Sequence, residues 1–328
     1  MTSTSLDIVA IGDAIVDVIS TADDAFLDEH GLPKGGMQLL TTDQADELYA
    51  AMGPGREISG GSAANSMAGA AALGLNAAFV GQVANDQLGG IFAHDMLSLG
   101  VRFETPPLAS PPSTGRCLIL VTPDAQRTMN TCPGASHALT PQALDPHMIR
   151  SASVTFLEGY LWGPERPRAT MLEAARIAHS ADRKVAFTLS ESLCLGDRRD
   201  GVLGMIEAGT VDILFGNEHE IRHLTGCAEL SDCIEQLSGN VGTLVVTLGA
   251  EGAMAVEQGE RIGIRPSPVE RIVDTTGAGD LFAAGFLAAR CRGHDLRGCL
   301  EAGAICAAEV ISHFGARPEA NLRELTGL

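Results

Sequence analysis

The stretch "VDILFGNEHEIRHLTGCAE", residues 211–229, supports two readings that build different proteins. In the first, His219, Glu220 and His223 form an H-E-x-x-H helix whose two histidines face one way. Such a pair can hold zinc, with Glu220 as the base that activates water. Gly226 lengthens the match, but the longer pattern asks for a histidine where this chain has Glu229. In the second, "VDILFGN" is a buried, β-branched-rich strand that hands over directly to a helix spanning 217–225. Asn217, Glu218 and Glu220 then stand at the junction, where oxygen donors suit the water shell of Mg2+ rather than zinc. Three fixed residues are a cheap coincidence, so the rest of the chain must decide.

Outward from that stretch, the strand-then-helix pattern recurs. "LDIVAIGD" (6–13), "NAAFVGQV" (76–83), "SVTFLEG" (153–159), "KVAFTLS" (184–190) and "GTLVVTLG" (242–249) are short apolar runs bounded by turn residues. Helical windows fall between them at 62–74, 87–99 and 164–180. This order predicts an α/β fold, a doubly wound, mostly parallel sheet with helices on both faces. Two places break the alternation. "AIVDVIS" (14–20) and "GGMQLLT" (35–41) read as extended with no helix between them. "GRCLILV" (115–121) and "RTMNTC" (127–132) flank a turn at "TPDAQ" and read as a hairpin. Segments of about 13–41 and 113–133 should therefore form a small β-sheet lid that excludes water from the strand ends. No internal repeat or long linker appears, so 1–328 reads as a single domain.

Composition narrows the function. A chain of 328 residues can bury a large core, built mostly of Ala, Leu, Val and Ile because only 4% of it is aromatic. A net charge of −19 argues against nucleic acid and anionic membrane surfaces as partners. One small phosphate ligand remains possible, because backbone N–H groups can hold it. The eight cysteines form no C-x-x-C pair, and "MTSTSLDIVAIGD" at the start is not a secretory signal. With no run long enough to span a bilayer, the expected location is cytoplasmic and the expected thiols are reduced.

Three further stretches carry chemistry. In "VDTTGAGDLFAAGFLAAR" (273–290), Leu281, Phe282, Phe286 and Leu287 recur at helical spacing from about Ala278 onward. Thr275 and Thr276 can cap that helix, and its start suits an anion such as phosphate. Asp280 would repel a resting phosphate, so it is either a cap or the partner of the group about to attack. In "SGGSAANSMAGAAALG" (59–74), Gly60 and Gly61 lead a second helix, with Ser62 as N-cap and Asn65 as a polar intruder fit for a sugar hydroxyl. "GDAIVDV" (12–18) places Asp13 and Asp17 on one strand face, as solvated charges or as acceptors for a vicinal diol. Lys34 and Lys184 are the only lysines, and neither belongs to a G-x-x-x-x-G-K-[ST] loop; no G-x-G-x-x-G follows the first strand.

Taken in order, these stretches resemble the ribokinase-like (phosphofructokinase-B) carbohydrate kinase family over essentially the whole chain. "DTTGAGD" is similar to that family's C-terminal signature, "GGSAANSMAGAAALG" to its glycine signature and "NEHE" to its N-x-x-E magnesium motif. "VVTLGAEG" resembles its T-x-G nucleotide strand. "GDAIVDV", "RTMNTCPGA", "TLSES" and "VDILFGNE" are more similar to adenosine kinases than to sugar kinases within it. The resemblance implies ATP and Mg2+ as cofactors and a small nucleoside or sugar as substrate, with monomer and homodimer both open. It implies that Asp280 is the base, that Gly277, Ala278 and Gly279 form the anion hole and that Arg127 approaches the phosphates from the lid. Asp17, Gly60, Gly61, Ser62 and Asn65 match the sugar site, with Asp13 near the base. Met37, Leu161 and Leu193 would line an apolar base site; Tyr160 and Trp162 flank the first leucine, where adenosine kinases stack aromatic rings. Asp13 likewise stands where those enzymes commonly have Asn. Thr247 and Gly249 match the ATP side, and Asn217 and Glu220 the magnesium motif. The implied reaction is transfer of the γ-phosphoryl of ATP to the 5′-hydroxyl of adenosine, with a furanose or keto-sugar as the alternative acceptor.

Overall fold

Alternation within single strands sorts the core into two layers. In β1 (Ile8–Ile11), Ile8 and Ala10 join one buried cluster, while Val9 and Ile11 join the other. The same division separates Ile213 and Phe215 from Leu214 in β11 (Ile213–Asn217). A period of two with apolar residues on both faces is what a sheet covered by helices on each side requires. One face carries the helices Ser62–Ala72, Gln87–Ser98, Ala278–Cys291 and Leu296–Val310. The other carries Pro146–Ser151, Glu165–His179, Arg199–Glu207, Glu218–Thr225 and Leu230–Ser238. Each buried Phe or Leu on these faces contributes about 1.5–3 kcal/mol.

The protein is seen in a computed structural model that describes residues 6–109, 111–124, 126–190 and 199–328. Its large sheet has nine strands, which run from one edge as β14 (Glu260–Ile264), β13 (Ala253–Glu257), β12 (Thr243–Thr247), β11, β10 (Lys184–Thr188), β9 (Val154–Glu158), β1, β5 (Ala77–Val80) and β6 (Arg102–Phe103). Every neighbouring pair is parallel except the two that involve β13. The chain winds outward from β1 to β5 on one side and from β9 on the other. A crevice therefore opens at the C-terminal ends of β1 and β9, the usual ligand site of such folds.

A second sheet has five strands in the order β3 (Met37–Leu39), β8 (Arg127–Cys132), β7 (Gly115–Val121), β2 (Ile15–Thr21) and β4 (Arg56–Gly60). β7 and β8 form the expected antiparallel hairpin, with Val121 opposite Arg127. Val16, Val18, Leu118 and Leu120 are buried in the core, while Ile15, Asp17, Cys117 and Ile119 line the crevice. Two details differ from the sequence reading. A helix, Asp24–Glu29, stands between β2 and β3, started by Asp23, whose carboxylate accepts from the Phe26 N–H at 2.8 Å. Its six residues bury only Leu27, too short a run for periodicity to register. The small sheet also recruits β4, so it reaches beyond the segments 13–41 and 113–133.

Candidate active site

Two helices start at the crevice, and a glycine opens each. Gly61 precedes Ser62–Ala72 at φ +94°, and Gly277 precedes Ala278–Cys291 at φ +80°, and neither helix has a side-chain cap. A Cβ on Gly61 would lie 2.3 Å from the Asp13 carbonyl oxygen, and one on Gly277 would lie 2.7 Å from the Ala316 Cβ. The positive φ and the close approach both select glycine. This corrects the expected capping. Ser62 occupies the first helical position, and its hydroxyl donates to Asp280 Oδ1 at 2.6 Å. Thr276 turns back to donate to Asp274 Oδ1 at 2.7 Å, and Thr275 lines the crevice. The N–H groups of Gly279 and Asp280, in the first turn of the Ala278–Cys291 helix, thus meet the crevice without a capping side chain, while the Ala278 N–H donates to the Thr275 carbonyl at 3.3 Å.

Asp280 is not the cap of its own helix. Its carboxylate takes the Ser62 hydroxyl on one oxygen and the Asn65 amide N–H at 2.9 Å on the other, so the opposite helix holds it. Burial raises its pKa, opposed by those two hydrogen bonds and the Arg317 charge. Asp17 stands nearby on β2, pushed up to about 6 by burial although Arg317 and Arg127 pull the other way. Gly60 lies behind it, where a Cβ would be 2.5 Å from the Asp17 carboxylate. Asp13 sits not in a strand but in the connection between β1 and β2, and both aspartates line the crevice.

Glu158, the last residue of β9, was not picked out in the sequence. It is fully buried; Oε1 accepts the Asp13 N–H and Oε2 accepts the Ala63 N–H at 2.6 Å. One carboxylate thereby ties the β1–β2 connection to the glycine-led helix. Burial and the neighbouring Asp13 hold Glu158 well above its ordinary range, and burial pushes Asp13 up to about 7. A charged group at the end of a fully buried strand is a readable signal for such a residue.

These carboxylates make a stability prediction. Above about pH 4 the folded chain still holds a proton on Asp17 until about pH 6 and on Asp13 until about pH 7, protons that the unfolded chain has released, and burial shifts Asp280 and Glu158 in the same direction. The folded state then binds more protons, so stability falls as pH rises through that window. Asp86 and Asp274 are held below the usual range and are already ionised there, so they do not oppose the trend. The melting temperature should drop by several degrees between pH 4.5 and pH 7, corresponding to on the order of a few kcal/mol. A flat or rising curve in a calorimetric series would show these groups ionised throughout.

The remaining predicted residues divide clearly. Met37 lines the crevice beside Leu39, Ile119 and Met129, an apolar wall contributed by the small sheet. Leu161 does not: it is fully buried in the core with Trp162, and Tyr160 and Gly163 face the crevice instead. Leu193 lies outside the described residues. Arg127 is paired with Asp274, and it also donates to Thr276 Oγ1 at 2.7 Å, so the β7–β8 hairpin is tied to the loop before the Ala278–Cys291 helix. Residues 211–229 take the strand-to-helix form, with β11 ending at Asn217 and a helix over Glu218–Thr225. Asn217 accepts from the Glu220 N–H at 2.8 Å, and Glu220 accepts from the Asn217 N–H at 2.9 Å, a reciprocal cap at the crevice wall. Thr247 lines the crevice, while Gly249 borders a neighbouring hollow with Asn217, His219 and Arg222. The crevice holds about 1080 Å³.

Comparison with known proteins agrees with this geometry. Residues 6–322 match the pfkB family carbohydrate kinases. An adenosine kinase from Sinorhizobium meliloti superposes with a TM-score of 0.91 at 44% identity, covering 98% of both chains. A probable sugar kinase from Rhizobium etli CFN 42 gives 0.92 at 40% identity, covering 99% of this chain and 98% of that one. An ATP-dependent ribose-1-phosphate kinase from Halopiger xanaduensis is 32% identical over 80% of this chain and 83% of its own. Matched over nearly its whole length and related at 32% or more to named kinases, this protein belongs to the pfkB family of carbohydrate kinases and is a phosphotransferase.

Proposed function

We propose that the chain transfers the γ-phosphoryl of ATP to the 5′-hydroxyl of adenosine, giving AMP. The observation that carries this reading is the charge pattern of the crevice. Its described lining residues include Asp13, Asp17 and Asp280 but no Lys or Arg, opposite an apolar wall of Met37, Leu39, Ile119 and Met129. Carboxylates accept the paired hydroxyls of a neutral ribose, and the apolar wall suits a flat base. A phosphorylated sugar would meet like charge there and no lining cation. The 44% identity to an adenosine kinase supports the same reading.

The chain's own groups then have distinct tasks. Asp17, with Asn65 and the Gly61 backbone, orients the ribose, while Asp13 closes the base end. Asp280, fixed by Ser62 and Asn65, takes the proton from the 5′-hydroxyl as that oxygen attacks. The N–H groups at Gly277, Ala278 and Gly279 receive the charge that develops on the transferring phosphoryl, aided by the partial positive charge at a helix start. Asn217, Thr247 and Gly249 border the donor side. Asn217 and Glu220 are oxygen donors on the crevice wall and fit Mg2+ bound through its water shell. When bound, the ion neutralises phosphate charge. Arg127 leaves its Asp274 contact only if it is to reach the phosphates, since both bonds hold it at the loop.

A sugar acceptor is the second reading, favoured by one observation: Leu161 is buried and offers a base nothing to stack on. ADP formation from adenosine, 2′-deoxyadenosine, inosine, guanosine, ribose and fructose, with and without Mg2+, separates the two. Adenosine should lead, with the deoxy analogue roughly tenfold to a hundredfold poorer because a buried acceptor is left unpaired. Activity should vanish without Mg2+. A free sugar in the lead would replace the adenosine reading and leave phosphoryl transfer intact.

A further inference from the structure

Arg317 belongs to none of the motifs that mark the site, yet its guanidinium lies between the site's two halves. It enters from the loop after the Leu296–Val310 helix, two residues past Gly315, whose N–H binds Asp274 at 2.9 Å. Nη1 donates to the Ala64 carbonyl at 2.7 Å, inside the first turn of the glycine-led helix. Nη2 donates to the Ser59 carbonyl at 2.8 Å and to the Ser59 hydroxyl at 3.1 Å, on β4 beside Gly60. Nε is buried with no hydrogen-bond partner among the described residues. All the donated bonds go to neutral acceptors, so the positive charge is left to act through space.

We propose that Arg317 is a positioning residue whose buried charge keeps Asp280 and Asp17 ionised at the pH where the enzyme works. This rests on the reading of Asp280 as the base and of Asp17 as the sugar acceptor. The charged groups facing Asp280 are Arg317, Asp17 and Glu158, with Ser62 and Asn65 as neutral donors. Those facing Asp17 are Arg317, Arg127 and Asp280, with the neutral Cys117 thiol beside it. Asp95, which accepts the Ser59 N–H at 2.9 Å, is the third carboxylate near Arg317. For both site carboxylates, burial is the largest influence and favours the neutral acid. Arg317 is the cation common to both. Burial brings its own pKa down to about 10, so it stays charged across the working range. A buried cation without a paired anion is costly for the fold, and the ionisation of two carboxylates is what it returns.

The test is the pH profile of turnover and KM for the best acceptor in wild type, Arg317→Gln and Arg317→Lys. Gln can still donate to the Ser59 or Ala64 carbonyl but carries no charge; Lys keeps the charge but cannot span both carbonyls. The expected result is that Arg317→Gln moves the acid limb of kcat upward by about one pH unit, so that turnover at pH 6 falls roughly tenfold. At pH 9 it should stay within about threefold of wild type, and KM at pH 6 should rise as Asp17 loses the same cation. Arg317→Lys should keep the wild-type limb. Should the Gln chain not fold, Arg317→Met, similar in length and without polar donors, takes its place. A uniform fall at every pH with the limb unmoved overturns the inference, as does a Lys variant shifted as far as the neutral one. Asp280→Asn run alongside separates the two levels. If the acid limb of kcat persists in that variant, Asp280 is not the titrating base and the underlying reading fails. A slow Asp280→Asn without the limb, beside an unmoved Arg317→Gln limb, overturns only the role of Arg317.

Discussion

Asp280→Asn is expected to lower turnover by roughly 10²-fold or more while KM for the acceptor and for ATP stays within a few-fold. The substitution keeps the shape and removes only the capacity to accept a proton. The new amide can still accept the Ser62 hydroxyl, which now reaches Oδ1 at 2.6 Å. Its NH2 group would face the Asn65 amide N–H, donor against donor, but a half-turn of the Asn65 amide restores a pair. Binding groups therefore stay in place. Stability should not suffer much, because burial already penalises the Asp280 charge. A melting temperature near or above that of wild type, with turnover lost, is the signature of a group kept for function at the expense of the fold. Turnover near the wild-type rate would reduce Asp280 to a bridge between two helices. Steady-state kinetics and calorimetry on one preparation decide it.

The fold was legible because its signal is local. Most strands of the large sheet announce themselves through β-branched residues and the long helices through spacing, and β11 with its following helix matches the reading of 211–229 almost residue for residue. The glycine-led helix start was legible for the same reason, since Gly277 to Asp280 lie in one continuous motif. What escaped was convergence. Arg317 reaches Ala64 across 253 residues, and Glu158 reaches Ala63 across 95, with no local pattern to mark either contact. Leu161 failed differently. Gly159–Trp162 is a single 3-10 turn in which successive side chains point about 120° apart, so a correct segment still put the wrong neighbour in the crevice. The threonines of "DTTGAGD" misled because capping statistics favour Thr, whereas a left-handed glycine starts this helix and leaves their hydroxyls for other partners.

Glycines in the two motifs look alike in sequence, yet alanine at Gly61 and at Gly279 should have opposite effects on stability. Gly61 sits at φ +94°, which costs an L-residue on the order of 1–3 kcal/mol, and its Cβ would press 2.3 Å from the Asp13 carbonyl oxygen. That oxygen is backbone and cannot swing away. The Asp13 N–H is moreover held by Glu158, so the strain spreads to the β1–β2 connection and the Asp13–Asp17 side of the crevice. Gly61→Ala should therefore destabilise the fold by on the order of 3 kcal/mol or more, and any folded fraction should show a raised KM. Gly279 lies inside the Ala278–Cys291 helix, and a Cβ there meets no atom within 4 Å. Alanine at a helical position restricts the unfolded chain and should raise stability by about 0.4–1 kcal/mol. The empty space around it is the crevice itself, where the proposed transfer brings the phosphoryl group to the N–H groups of the helix start. Gly279→Ala should thus melt higher than wild type yet turn over roughly 10²-fold more slowly, about the cost of one lost anion-hole contact. Full activity in that variant would mean the phosphoryl group does not approach this helix start, and the anion-hole assignment would have to move elsewhere along the crevice.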